Sequence, residues 1–281
     1  MALGAATLGA VTAATMASVP TASASCFSMF GIGSGGQCTS TLTSIAIAIG
    51  TNAEAHADGI LGAAMTFGDH SSSATVAGAL SNFAVTFGNS NLTSAGGLGS
   101  LAFVADAINQ TVIAGVGGLT SGNVANFAAS LTSPEATETS ATGIGNTSIN
   151  FVGAGKVKGN GVGLTTVNSV GINANLDNAG VLNNITNISG DNIDISNNIG
   201  KGGFGNLAFN VIGTDNVVRT HGSFAVAGAI GSTGQSVSQD GFGVNISFGK
   251  RALHSSAATG ETASNNSPKP AAARRHAGRG D

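Results

Sequence analysis

Short segments of alternating residues that end in glycine recur along this chain, and they restrict its fold more than any other feature. They are IAIAIG (45–50), AAMTFG (63–68) and FAVTFG (83–88), with LAFVAD (101–106) as a variant. Alternation with a period of two indicates β-strands, and glycine at a fixed offset indicates a turn with positive φ or a close backbone approach. The segments end 18, 20 and 18 residues apart. We therefore predict successive rungs of a parallel β-solenoid.

A second series lies nearer the carboxyl end, in LAFNVIG (207–213), AVAGAIG (225–231) and GVNISFG (243–249), and its closing glycines are 18 residues apart. Among the residues at every sixth position from 164 to 248, the apolar fraction is also higher than the local composition predicts. Both spacings predict rungs of about 18 residues, each built from three six-residue sides, with the sixth-residue positions pointing inward. The apolar positions of this column are Leu164, Val170, Leu176, Leu182, Ile188, Ile212, Val218, Phe224, Ile230, Phe242 and Phe248.

The stretch GVLNNITNISGDNIDISNN (180–198) consists almost entirely of branched aliphatic residues and small polar ones. In the three-sided rung, Leu182 and Ile188 point inward, and Asn and Asp occupy corners, where they tolerate left-handed conformations. Stacked rungs would also allow amide side chains to pair in ladders along the axis. This pattern predicts a structural role for the stretch.

The composition favours stacking over a globular core. Charged residues make up 8% of the 281, Trp and Tyr are absent, and Gly occurs 44 times. Much of the 42% apolar fraction is Ala, which buries little area per side chain. A globule with so few bulky side chains would bury too little area to offset its chain entropy, whereas stacked rungs pair every backbone amide. A largely disordered, low-complexity secreted chain is the alternative that this composition leaves open.

The two ends of the chain differ from the repeats. Residues 1–24 are small and apolar and end in Ala22-Ser23-Ala24, the pattern that signal peptidase accepts, so they predict a signal peptide with a helical apolar region and a secreted or cell-surface location. Residues 250–281 are basic and rich in Ala, Ser, Asn and Pro, which predicts a disordered basic tail. The final GRGD (278–281) resembles an integrin ligand, but chance in a Gly- and Arg-rich tail explains it.

Two cysteines, Cys26 and Cys38, lie in a Gly-rich segment (25–43) that follows the signal peptide. In an exported protein a close pair predicts a disulfide, and none of the five His residues lies in the loop to complete a metal site. The rest of the chain is divided by SPEATETSATG (133–143), a predicted connecting loop with a proline and two acids. The predicted solenoid segments on either side of it are 44–132 and 144–249.

The segment SIAIAIGTNAEAHADG (44–59) resembles the head repeats of trimeric autotransporter adhesins, in which alternating aliphatics precede Gly and an Ala-x-Ala follows. The resemblance covers about residues 44–106 and implies an adhesive β-roll. The whole chain, with its signal segment, short Cys loop and low-charge repeats, is similar to uncharacterised secreted Gly/Ala/Asn-rich repeat proteins of actinobacteria. That resemblance implies an exported location and assigns no activity.

Two enzyme classes are alternatives. The six-residue period is similar to that of hexapeptide acyltransferases, which use a histidine as general base. In this chain His221, with Arg219 beside it, would be the candidate base. Carbohydrate-active β-helix enzymes need carboxylates clustered on one face. Asp191 and Asp194 also lie among amide and hydroxyl oxygens, as in a weak calcium site. The carboxylates of this half, which we interpret as solvated corners, are Asp177, Asp191, Asp194, Asp215 and Asp240.

Together these patterns predict an exported all-β protein, a parallel β-solenoid of about a dozen rungs at ~4.8 Å each, with a structural or adhesive role. We expect no catalytic, cofactor-binding or metal-ligating residue, and the pair Cys26 and Cys38 is the one predicted site. The expected partners are the cell envelope or a host surface and further copies of the chain, not nucleic acid.

Overall fold

The computed structural model describes residues 25–118, 121–131, 138–152, 155–172, 174–191, 193–197, 203–249 and 251–255. All 26 elements in these ranges are β-strands, and they form two long sheets that wind as a β-solenoid. The predicted fold class is therefore confirmed. The predicted signal peptide (1–24) and nearly all of the predicted tail (256–281) lie outside the described residues.

Sheet A runs the whole length of the solenoid. Its strands, in spatial order, are β2 (Ile32–Ser34), β1 (Ser25–Met29), β4 (Ile45–Ile49), β6 (Ala63–Phe67), β8 (Phe83–Asn89), β10 (Leu101–Ile108), β12 (Phe127–Leu131), β14 (Thr147–Val152), β16 (Thr165–Ile172), β18 (Asn184–Ile188), β21 (Leu207–Val211), β23 (Ala225–Ile230), β25 (Gly243–Phe248) and β26 (Arg251–Ser255). The short strand β19 (Gly190–Asp191) pairs with β16.

Sheet B lies opposite sheet A and takes the alternate strands of the chain. Its strands are β3 (Cys38–Ser40), β5 (Glu54–Ala57), β7 (Ser72–Thr75), β9 (Leu92–Ala95), β11 (Thr111–Ala114), β13 (Glu138–Ile144), β15 (Gly155–Val162), β17 (Ala174–Val181), β20 (Asp194–Asn197), β22 (Val217–His221) and β24 (Ser236–Asp240).

Each turn of the solenoid contributes one strand to each sheet, and neighbouring turns pair in parallel. Most paired residues are 18 to 20 positions apart, as Ile45 is from Ala63 and Ala63 is from Phe83. Longer connections separate Leu101 from Phe127. The predicted rung length is thus close to the observed one, whereas the prediction of three six-residue sides is wrong. Sheet A has eleven parallel strands from β4 to β25, slightly fewer than the dozen rungs predicted.

Small residues fill the space between the sheets. In β4, Ala46 and Ala48 are fully buried while the isoleucines between them point outward, and the same alternation recurs in β6, β8 and β10. Short corners hold the two sheets close together, so only small inward side chains fit in much of the interior. Val104 and Val112 are also buried in the first half, and the larger leucines and isoleucines pack inside toward the carboxyl end, in a cluster that includes Leu176, Ile185 and Ile195.

The predicted inward column at every sixth residue is therefore wrong. Leu164, Leu176 and Val218 are buried, but Leu182 is 54% exposed and Ile188 is 44% exposed. A six-residue step changes strand and face in a two-sheet turn, so it does not follow one column. The physical cause is the narrow gap between the two sheets. It admits mainly small side chains, so many of the large residues expected inside lie on the outer side of the strands.

Asparagine forms a buried ladder along the solenoid axis, in agreement with the predicted amide ladders. The side chain of Asn168 donates to Asn150 at 2.7 Å, Asn187 donates to Asn168 at 2.7 Å, and Asn210 donates to Asn187 at 2.9 Å. All four side chains are fully buried. Asn168 and Asn187 each donate to the preceding turn and accept from the following one, so the ladder satisfies polar groups that water cannot reach.

A second set of asparagines closes the corners that precede sheet A. Asn126 accepts the backbone N–H of Asn146 from the next turn and donates to the carbonyl of Gly143. Asn206 repeats the arrangement with the N–H of Ala225 and a carbonyl one turn on. Asn183 does the same for the backbone N–H of Asn206, so the predicted corner role is confirmed for this residue of the stretch 180–198, whereas Asn187 of that stretch lies in the ladder.

Both ends of sheet A are covered by antiparallel strands. At the amino end β1 pairs with β4 and with β2, and the predicted Cys26–Cys38 disulfide joins β1 to β3. At the other end β26 pairs antiparallel with β25. These strands occupy the edges that would otherwise expose unpaired backbone groups.

Two predicted boundaries differ from the structure. Residues 138–143 of the predicted connecting loop belong to strand β13, which pairs in register with both β11 and β15. Residues 132–137 lie outside the described part of the chain. The predicted tail begins at 250, yet residues 251–255 form β26. Both series of repeats thus belong to the same two sheets, because every turn meets the same hydrogen-bonding edge of its neighbour.

Candidate interaction surface

The outer side of sheet A, which we call the apolar face, carries large hydrophobic side chains in three rows parallel to the solenoid axis. The rows arise because parallel strands in register place equivalent outward residues one above another. The large apolar members of the first row are Ile45, Phe83, Leu101, Phe127, Leu207, Val226 and Val244; those of the middle row are Ile47, Met65, Val85, Phe103, Ile149, Val167, Phe209 and Ile246; those of the third row are Ile49, Phe67, Phe87, Leu131, Phe151, Ile188, Val211, Ile230 and Phe248.

Aromatic side chains pack against each other along these rows. The rings of Phe67 and Phe87 stack with centroids 4.9 Å apart, and Phe87 and Phe103 are 6.1 Å apart. A side chain at Gly228 would meet the ring of Phe209, so that ring lies over the neighbouring strand. These contacts order the apolar face, and they leave its outer side accessible: Phe83, Phe87 and Phe248 remain exposed.

An apolar ridge at the corner before sheet A widens this surface. It is formed by residues one turn apart that make isolated parallel bridges, from Ile60 to Leu80, Leu98 and Val124, and on to Ile144. Most of these side chains are exposed. Large contiguous apolar surfaces are uncommon on monomeric soluble proteins and typically mark interaction sites.

The apolar face has a polar interruption, and the exposed Asp106 lies beside its third row, at the register shift of β10. Thr165, Asn184 and Thr186 point outward from β16 and β18 between two more hydrophobic stretches. In the aligned rows of β4 through β25, none of the outward residues described is Asp, Glu, Lys or Arg. Attraction to this face is therefore not electrostatic.

Charged side chains lie on the outer side of sheet B, where they form pairs between turns. The Nζ atom of Lys158 lies 3.2 Å from Oε2 of Glu138, and the guanidinium of Arg219 donates to Oδ2 of Asp194 at 3.0 Å. The Nδ1 atom of His221 lies 3.0 Å from a carboxylate oxygen of Asp240. All these pairs are partly exposed, so each contributes little stability. The two sheets thus present outer faces of opposite polarity.

Asp177 is half-buried on this polar face. Desolvation raises the pKa of its carboxyl group above the ordinary value of 3.8, Lys158 opposes this change, and the charge of Asp194 adds to it. The folded chain therefore holds this proton more tightly than the unfolded chain does.

The raised pKa of Asp177 predicts a small pH dependence of stability. Its contribution is most favourable below pH 3.8 and declines as the pH rises from there through the folded-state pKa. We expect D177N to remove this decline and to be slightly more stable than the parent at neutral pH. Urea unfolding of both proteins across this pH range measures the difference. A parent and variant whose stabilities differ by a constant amount at every pH would contradict the assignment.

Of the candidate catalytic and calcium-binding residues, Asp177 and Asp194 lie near each other and near Lys158 on the outer face of sheet B, whereas His221 and Asp240 lie at the ends of β22 and β24. His221 and Asp240 line a shallow, open depression with Gly222 and Gly241, while Arg219 is paired with Asp194 of the preceding turn. Among the residues with described positions, no three His, Cys, Asp or Glu side chains form a group suited to a metal ion. The described candidates of the two enzyme alternatives thus lie in an open depression and on the outer face of sheet B.

No family model, no curated protein and no solved structure matches the chain. The two family resemblances stated from the sequence therefore stay predictions. In the part of the chain that the structure describes, no helix is long and apolar enough to cross a membrane.

The apolar face was not identified from the sequence. Its signal was present in segments such as IAIAI, in which large and small apolar residues alternate. The period of two places the isoleucines on one side of the strand and the alanines on the other. Both residue types are hydrophobic, and the bulkier one is expected inside. The structure places the smaller set inside.

Proposed function

We propose that this chain is an exported, non-catalytic protein of the cell envelope or the extracellular space, with a structural or adhesive role, that associates through the apolar face. The observation that carries this proposal is the division of polarity between the two sheets. A solenoid that acted only as a solvated spacer would have polar residues on both outer faces. Here the large hydrophobic residues lie on one face and the charged pairs on the other.

The polar face of sheet B suits a surface that stays in water. Its ion pairs are exposed and weak, and its residues between them are mainly Ser, Thr and Asn. The apolar face gains free energy when it leaves water, at roughly 25 cal/mol for each Å² buried. A chain built this way is held by one face and displays the other.

The absence of catalysis is part of the proposal. General acid–base chemistry needs titratable groups positioned around a substrate site that excludes water. The pair His221 and Asp240 lies in an open depression, and Arg219 is already engaged by Asp194. These arrangements support a structural reading of the charged residues.

Export is tested through the predicted cleavage site. Signal peptidase accepts small residues at the positions of Ala22 and Ala24, so A24L should leave the chain unprocessed and retained with the cells. The matched control is S23L, which places the same side chain at the tolerant position between them. Fractionation with N-terminal sequencing should find the parent and S23L outside the cytoplasm, beginning at Ser25. If the parent accumulated unprocessed in the cytoplasm, the export proposal would be lost.

A further inference from the structure

We propose that the occupant of the apolar face is a second copy of this chain, packed face to face in an isologous pair. The inference rests on the proposed function in one respect, because the same face is the association surface. It adds the identity of the partner. In the pair, the two sheets A form the interior and the two polar sheets B form the outer surfaces.

The size of the face suits a stable dimer. Ten steps of ~4.8 Å between the eleven parallel strands give a length of about 48 Å, and five residues per strand give a width of about 17 Å. Each copy would then bury roughly 800 Å², which is typical of one partner in a specific protein–protein interface. Homodimer interfaces are also the more apolar class, as this face is.

The periodicity of the face favours a copy of the same chain over another protein. Its side chains form ridges that repeat at the strand spacing over the whole length of sheet A. A second solenoid of this sequence has the same spacing, so ridges and grooves stay matched from one end to the other. A partner without this repeat would match only locally. The aligned rows of β4 through β25 carry no charged residue among those described, so two such faces also meet with little repulsion.

The polar interruption argues against a lipid surface as the occupant. Thr186 donates to Asn184 at 3.0 Å, but the remaining polar groups of Thr165, Asn184 and Thr186 would face hydrocarbon, where unsatisfied polar groups are costly to bury. A protein partner supplies donors and acceptors at the same depth. The chain also has no Trp or Tyr, the residues that anchor proteins at membrane interfaces, and the described residues of the aligned rows from β4 to β25 include no Lys or Arg to attract anionic lipids.

Ile149 marks the centre of the proposed interface. It lies in the middle row on β14, the sixth of the eleven parallel strands. In an isologous pair with full overlap, the two-fold axis passes near this position, so Ile149 of one copy faces Ile149 of the other. Ile113 offers a matched control, since it is also a partly exposed isoleucine in a central strand region but points outward from sheet B.

The first experiment is sedimentation velocity of the purified chain at about 10 µM, above the micromolar limit expected for an interface of this size. The parent should sediment with twice the 27.0 kDa mass of one chain. I149E places two carboxylates opposite each other and should weaken the dimer at least about 100-fold, giving a monomer. I113E should stay dimeric. Far-ultraviolet circular dichroism checks that both variants keep the β structure.

The second experiment does not depend on a charged variant folding. I149C places a small, crosslinkable thiol at the two-fold axis. The two native cysteines are already joined to each other, so they do not compete for crosslinking. Under mild oxidation or with a short bis-maleimide, I149C should form a covalent dimer. I113C should remain uncrosslinked, because sheet B faces outward on both copies.

The outcomes separate this inference from the proposed function. A monomeric parent overturns the pairing. A dimer that I149E does not dissociate and that I149C does not crosslink also overturns it. A monomer that binds neutral phosphatidylcholine vesicles through the apolar face also overturns it, yet leaves an association function intact. Conversely, failure of export with a normal dimer removes the proposed location and leaves the pairing.

Discussion

Replacement of Gly68 by alanine should lower the free energy of unfolding by about 4–5 kcal/mol, which is at the upper end for single substitutions. Gly68 has a φ of +144°, which side-chain-bearing residues rarely adopt, and an added Cβ would lie 1.9 Å from the carbonyl oxygen of Gly88 on the next turn. The obstacle is backbone, so no side chain can move aside. The turns must separate, and their hydrogen bonds must lengthen.

The matched control is Gly99, which also has a positive φ, of +64°, but has open space where its Cβ would be. G99A should cost only about 1 kcal/mol, the strain of the left-handed conformation alone. Urea unfolding followed by circular dichroism compares the two variants. Equal losses would mean that backbone conformation, and not the contact between turns, determines the effect at Gly68.

The second large effect concerns the buried asparagine ladder. N187A removes the donor to Asn168 and the acceptor for Asn210, and both groups are buried. An unsatisfied buried polar group costs roughly 1–3 kcal/mol, so we expect a loss of about 3–4 kcal/mol for the two groups and the small cavity. Thermal and urea unfolding of the purified variant measure this loss.

Asn184 provides the control on the same strand, since it points outward and its side chain accepts a hydrogen bond from Thr186 at 3.0 Å. N184A should change stability by no more than about 0.5 kcal/mol. A loss at N184A as large as that at N187A would show that the strand position, rather than the ladder, accounts for the cost.

Part of the fold could be predicted because its signals are local. Alternation in segments such as 45–49 and 83–87 follows from the strand period, and the stacked turns follow from the spacing of the closing glycines. The pair Cys26 and Cys38 could be predicted from proximity in the chain, and it is bonded in the structure. One loop boundary was predicted wrongly: residues 138–143 contain Glu138 and two threonines, a composition typical of a loop, yet pairing with β11 and β15 makes them a strand.

The candidate surface could not be predicted in the same way. Apolar residues at every sixth position are expected in a three-sided coil, but the same positions can be apolar by chance in a two-sided one. Leu182 and Ile188 were expected inside on this basis, and they lie outside. Their orientation depends on how many strands make one turn. That number is set by corner geometry, which involves contacts between residues a full turn apart.

The sequence by itself determined that this protein consists of short strands stacked at intervals near 18 residues, because alternation and turn residues act within a few positions of the chain. Only the tertiary structure decided that each turn has two strands and that mainly alanine, serine, threonine and asparagine fill the interior, while most of the isoleucines and phenylalanines face outward. The physical reason is the distance between the sheets: a narrow gap admits small side chains, and the larger ones can only occupy the opposite side of the same strands.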